Sequence, residues 1–165
     1  MKLNLQELTL KVGSATTSPA LPNYRPPSWP PPRDWPVVID KEGAIVTRWG
    51  DPIWDLSPWE GRPFQLNFGD GEKAGRGEGL DRENADLLRL VVTWLAWGPR
   101  GAGKGTTLRS HVTKAKSVIA VCSRNGISAA SLTRFPKVLE LVPGALAPSS
   151  YEATIALLHR ALLHK

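Results

Sequence analysis

Nine cationic side chains, Arg89, Arg100, Lys104, Arg109, Lys114, Lys116, Arg124, Arg134 and Lys137, lie between Asp86 and Glu140 with no carboxylate among them. A fixed cation that meets a phosphate releases a condensed counterion, which makes the contact favourable and salt-sensitive. The imbalance belongs to one half of the chain. Residues 1–80 carry 9 Lys or Arg against 10 Asp or Glu and residues 81–165 carry 12 against 5, so the formal net charge of +6 comes from the second half. A charge run is often no more than a solvated face, but one this long without compensating acid points to an acidic polymer as partner.

The stretch Gly98-Pro99-Arg100-Gly101-Ala102-Gly103-Lys104-Gly105-Thr106 contains GxxxxGK followed by Gly-Thr. In a nucleoside monophosphate kinase such a loop cradles phosphates with backbone amides, the Lys reaches across them, and the next helix adds its N-terminal dipole. The surroundings argue against it here. That loop should follow a buried strand, yet the pattern from Asp81 to Trp97 is helical and too long for a strand. A carboxylate should also follow to hold magnesium, and only Glu140 and Glu152 remain downstream. The glycines therefore read as a flexible basic connection between two helices, and no cofactor or metal is expected.

Positioning these cations requires helices, and the second half supplies the pattern. Asp81 can cap a helix whose Leu87, Leu88, Val91, Val92 and Leu95 form one apolar face, closed by Gly98-Pro99. Thr106 or Thr107 opens another with Leu108, Val112, Ala115, Ile119 and Cys122 inward and Asn125-Gly126 as its left-handed stop, which turns Arg109 and Lys116 outward together. Ser128 or Ser131 starts a short helix around Leu132 that Pro136 interrupts. Ser149 with Glu152 forms a capping box for a last helix through Ile155, Leu158 and Leu162. Four or five helices with short connections predict a compact, mainly α bundle over residues 81–165.

Residues 1–80 read as an N-terminal arm. Leu3, Leu5, Leu8, Leu10 and Val12 suggest a short strand. Eight prolines from Pro19 to Pro36, with Tyr24, Trp29 and Trp35 among them, exclude helix and favour an extended arm with its indoles packed down. Val37–Ile39 and Ala44–Thr47 flank Asp40-Lys41-Glu42-Gly43 as a β-hairpin. Trp49, Trp54 and Trp59 recur at five-residue intervals that fit neither helix nor strand, and read as anchors of an irregular packed segment ending near Phe64, Leu66 and Phe68; stacking on nucleic acid is the lesser reading. Gly69 to Gly79 reads as a linker.

The single Cys122 sits in an apolar pattern, so it is expected as a core residue in a reducing compartment. The N-terminus is not a signal peptide and no apolar run reaches membrane-spanning length, so a cytoplasmic protein without a membrane partner is expected.

A family resemblance rests on Trp94-Leu95-Ala96-Trp97-Gly98, Thr107-Leu108-Arg109, Cys122-Ser123-Arg124-Asn125-Gly126-Ile127, Leu132-Thr133-Arg134-Phe135-Pro136-Lys137-Val138, and Ala147-Pro148-Ser149-Ser150 with Leu157-Leu158-His159. Together these runs resemble the N-terminal, core-binding region of bacterial tyrosine recombinases of the phage-integrase type. Upstream, Arg33-Asp34-Trp35-Pro36, Trp49-Gly50-Asp51-Pro52 and Asp55-Leu56-Ser57-Pro58-Trp59 are similar to the leader of some large members. The resemblance implies a SAM-like helical bundle forming half of a clamp on double-stranded DNA, in a bacterial, nucleoid-associated protein that can self-associate on DNA. Arg100, Lys104, Thr107, Arg109, Lys114, Lys116, Arg124, Arg134 and Lys137 are then the candidate DNA contacts. Family catalysis uses a Tyr nucleophile with an Arg pair, His and Lys on a separate domain. This chain offers only Tyr24 and Tyr151, and none of His111, His159 or His164 begins a His-x-x-Arg motif. A non-catalytic module with no small-molecule substrate is expected. The competing expectations are a phosphate-loop nucleotide binder and a protein-interaction adaptor using the Pro/Trp arm.

Overall fold

A computed structural model of the 165-residue chain describes residues 30–71, 79–97 and 104–150, together with 28, 152–154 and 156. The expected strand at Leu3–Val12, most of the proline arm, and the last helix beyond residue 156 lie outside the described residues.

Strand β1 (Pro36–Ile39) pairs antiparallel with β2 (Ile45–Arg48), the expected hairpin. Its turn is built by Asp40: the carboxylate accepts from the Glu42 N–H at 3.0 Å and the Ala44 N–H at 2.7 Å, and the Asp40 N–H donates to the Ala44 carbonyl. This is an Asp side chain satisfying the backbone of its own turn. A second two-stranded sheet was not foreseen. Strand β3 (Ile53–Asp55) pairs with β4 (Gln65–Asn67) in the register Ile53↔Asn67, Trp54↔Leu66, Asp55↔Gln65, with the single-turn helix α1 (Ser57–Glu60) between them. Asp55 fixes that corner. Its carboxylate accepts from the Ser57 hydroxyl and the Ser57 N–H, and these hydrogen bonds hold it below its ordinary value of 3.8 against a smaller opposing effect of burial.

The five-residue tryptophan spacing is now explained. Trp49 precedes β3, Trp54 lies on it and Trp59 lies in α1, so each indole meets the same centre from a different element. Trp54 packs edge-on between Trp49 and Phe68, at 5.4 and 4.8 Å between ring centroids, and its N–H donates to the Trp49 carbonyl. Both indoles are fully buried and unavailable for stacking on bases.

Helix α2 (Arg82–Trp97) starts where expected. Asp81 accepts from the Asn84 N–H, and from the side chains of Asn84 and Ser123, each at 2.6 Å. Burial pushes the Asp81 carboxyl up, but hydrogen bonds from Ser123 and Asn84 outweigh it and leave the group below 3.8. Helix α3 (Gly105–Arg124) buries the five expected residues and also Val118, Ala120 and Val121. It ends in the left-handed residue Gly126, with the Ile127 N–H donating to the Cys122 carbonyl, the αL stop that only glycine adopts at no steric cost. Cys122 is buried, which pushes its thiol up. After α3 come a 3-10 turn (Ala129–Arg134), the single-turn α4 (Pro136–Leu139) and two further 3-10 turns (Pro143–Ala145 and Pro148–Ser150).

The architecture is mainly helical with two small β-sheets. Among the described residues only α2 and α3 exceed two turns, and the short helix expected around Leu132 is a 3-10 stretch followed by the single-turn α4. One apolar cluster joins Val37, Trp54, Leu56, Leu66 and Phe68 from the first half with Leu88, Val92, Leu108, Val112 and Ile119 from the helices. Residue 80 thus marks a change of secondary structure within a continuous core. At that point the Leu80 N–H donates to the Gly69 carbonyl at 3.0 Å, so the two ends of the glycine-rich stretch are tied side by side.

Candidate nucleic-acid interface

The fold sorts the acid-free cations into groups with different roles. Arg89 is fully buried. Its guanidinium donates to Asp86 Oδ1, Asp70 Oδ1 and the Asp51 carbonyl, at 2.8, 2.8 and 2.9 Å, and lies 4.8 Å from the centroid of the Phe68 ring. Arg33 completes the cluster: it donates to Asp86 Oδ1 at 2.8 Å and to the Gly50 carbonyl, and stands 3.8 Å from Asp70 Oδ2. Two cations and two carboxylates cancel. The compensating acid that the sequence lacks downstream comes partly from Asp70, nineteen residues upstream, and Arg89 is therefore removed from the surface field.

Lys116 is also turned inward. Its ammonium donates to the Asn67 carbonyl at the end of β4, at 2.9 Å, and the side chain is half-buried. Arg109 is exposed, with its guanidinium 4.8 Å from the centroid of the Phe64 ring. Arg109 and Lys116 share one flank of α3, as expected, and Arg109 is exposed there, but the expectation of a solvent-facing Lys116 is corrected because the Asn67 carbonyl captures its ammonium. Lys116 fastens the sheet, and Arg109 lies along its rim.

The remaining candidates are accessible. Lys104, Thr107 and Arg124 are exposed at the two ends of α3, Lys114 is half-buried midway, and Arg134 and Lys137 are exposed on the turn and α4 that follow. Arg100 lies outside the described residues. Lys104, Lys114, Arg134 and Lys137 form no ion pair among the described residues. The outer face of α3 also carries Thr106, Ser110, Thr113 and Ser117, spaced by four, three and four residues, which places them in one row along the helix. The row is legible in the sequence from its helical spacing, although none of its members carries a charge. Helix α3 contains no carboxylate, so its outer face is a row of hydroxyls edged by cations.

The phosphate-loop resemblance has a different outcome. The segment before it is helix α2, as expected, and the N-terminus of α3 already holds an anion: Glu60 Oε2 accepts from the Gly105 N–H at 2.6 Å. A Cβ at residue 105 would stand 2.7 Å from that carboxylate, so a larger residue there would make the Glu60 side chain shift. Arg62 pairs with the other oxygen of Glu60 at 2.9 Å. A carboxylate at a helix N-terminus satisfies its free N–H groups and its dipole as a phosphate would.

Among the described residues no group of three or more His, Cys, Asp or Glu could hold a metal ion, and no helix is long and apolar enough to cross a membrane. No family model matches the chain, and neither the curated proteins nor the solved structures gave a match.

Proposed function

We propose that this chain is a non-catalytic module that binds double-stranded DNA, of the SAM-like core-binding type that tyrosine recombinases use to clamp their substrate. The observation that carries the reading is the outer face of α3, where Lys104, Arg109, Lys114 and Arg124 edge a helix that itself carries no carboxylate. Arg134 and Lys137 are further exposed cations on the turn and α4 that follow the helix. A duplex presents one charge per about 1.7 Å of its axis, and a twenty-residue helix is about 30 Å long, so several cations can meet phosphates at once. The reading places the protein in the bacterial cytoplasm. The phosphate-loop alternative is weakened by Glu60, which would have to leave the N-terminus of α3 before a nucleotide phosphate could enter.

The test is a salt titration of duplex binding by fluorescence anisotropy. With about five phosphate contacts the log–log slope of affinity against salt is about −4 to −5, at roughly 0.9 per phosphate. A Lys114→Glu/Arg124→Glu variant that keeps its helical circular dichroism should lose binding. Absence of binding at low salt, or a salt-independent affinity, refutes the proposal.

A further inference from the structure

We infer that the α3 face holds the duplex by its sugar–phosphate backbone without reading base sequence; this rests on the DNA-binding reading above. The argument comes from which groups occupy the face and which do not. Base edges in the major groove are distinguished mainly by bidentate side chains, Arg or Lys on guanine and Asn or Gln on adenine. The centre of this face holds Thr106, Ser110, Thr113 and Ser117 instead, and α3 contains no Asn or Gln. Its cations stand at the margins: Arg109 is held over Phe64, Lys114 lies to the other side, and Lys104 and Arg124 mark the ends.

Short hydroxyl side chains suit backbone contact. They let the helix approach closely, and Ser and Thr are common donors to phosphate oxygens. Their donors are also unspent. Ser117 gives its hydroxyl to the Thr113 carbonyl at 3.1 Å, but Thr106, Ser110 and Thr113 donate to nothing among the described residues. The absence of carboxylates from the helix, with cations along both edges, supplies the charge complementarity that commits the face to a polyanion. A single strand is a poorer occupant, because such sites stack bases on exposed aromatic rings. Trp49 and Trp54 are buried, Trp35, Trp59, Trp94 and Trp97 pack against the core, and Phe135 is the one large aromatic exposed among the described residues.

The experiment compares two duplexes of unrelated sequence, and a single strand of equal length, across a salt series. The proteins are wild type, Ser110→Ala/Thr113→Ala and Lys114→Ala, each checked by circular dichroism. The two duplexes should bind within about threefold of each other and the single strand at least tenfold more weakly. The hydroxyl variant should lose several-fold in affinity with an unchanged salt slope, since a neutral donor releases no counterion, whereas Lys114→Ala should reduce the slope by about 0.9. A tenfold or greater preference between duplexes, or enrichment of a motif from a random duplex pool, overturns sequence independence. Unchanged affinity in the hydroxyl variant overturns the role of the row, and stronger binding of the single strand overturns the choice of duplex. Loss of all nucleic-acid binding in folded wild type refutes the parent proposal, a separate result from any of these.

Discussion

Replacing Arg89 with Met removes a charge from the centre of the fold while keeping most of the side chain's volume. The guanidinium is wholly buried and holds Asp70, Asp86 and the Asp51 carbonyl, so the change strands carboxylates that were desolvated on the assumption of a partner. Breaking a buried pair by removing one member costs about 3–5 kcal/mol. Arg33 stays at 2.8 Å from Asp86 and 3.8 Å from Asp70 and compensates in part, which places the expected loss near the lower limit, at about 3 kcal/mol. Arg33→Met should cost only about 1 kcal/mol, because that side chain is 38 % exposed and its pairs are screened by water. Pairing Arg89→Met with Asp70→Asn should cost less than the sum of the two, since the second change removes a carboxylate the first had stranded. The assay is urea denaturation followed by both far-UV circular dichroism and tryptophan fluorescence. Dichroism follows α2 and α3, while in a Trp94→Phe/Trp97→Phe background the fluorescence comes from the first half of the chain, buried Trp49 and Trp54 among it, so a continuous core requires both signals to move at one midpoint. A loss below about 1 kcal/mol for Arg89→Met, or separate midpoints for the two signals, refutes this reasoning.

Lys116→Ala should destabilise the fold by about 1–2 kcal/mol through the lost charge-assisted hydrogen bond to Asn67, whereas Lys114→Ala should stay within about 0.5 kcal/mol and act on DNA affinity instead. Asp55 and Asp81 titrate in the folded state below 3.8, so their stabilisation is present above that pH and lost as pH falls through the folded values. An Asp55→Asn/Asp81→Asn variant should accordingly show a flatter loss of stability below about pH 4 in acid titrations. Glu60→Gln should cost up to about 1 kcal/mol by weakening the anion at the N-terminus of α3. ATP or GTP with magnesium should leave the wild-type melting temperature unchanged; a nucleotide at 100 times its dissociation constant would add about 2.7 kcal/mol, and such a shift, abolished by Lys104→Ala, would favour the nucleotide-binding alternative.

Local chemistry made part of this structure legible in advance. Asp81 and Gly126 are caps, and caps announce themselves by residue type beside an apolar periodicity, so both long helices could be read from sequence. Asp40 likewise signals the hairpin turn. The β3–β4 sheet escaped because strands of three residues are too short to display a period. The fates of Arg89 and Lys116 escaped for another reason: each is decided by an acceptor far along the chain, Asp70 or the Asn67 carbonyl, which no spacing rule connects to it. The hydroxyl row of α3 is written in the sequence at helical spacing, but as neutral donors its members add nothing to the charge pattern.

The hydrogen bond between Leu80 and Gly69 holds these two residues side by side whatever length of chain joins them. Chain added between Glu72 and Glu78 should come at little thermodynamic expense, since doubling a connection costs only about 0.6 kcal/mol in closure entropy, whereas Asp70 must stay because it pairs with buried Arg89. A fluorophore, an affinity tag or an entire guest domain introduced between Glu72 and Glu78 would therefore travel with the protein while the core kept its register. Inserted there, a fluorophore can report on DNA binding without replacing any residue of the surface proposed to perform it.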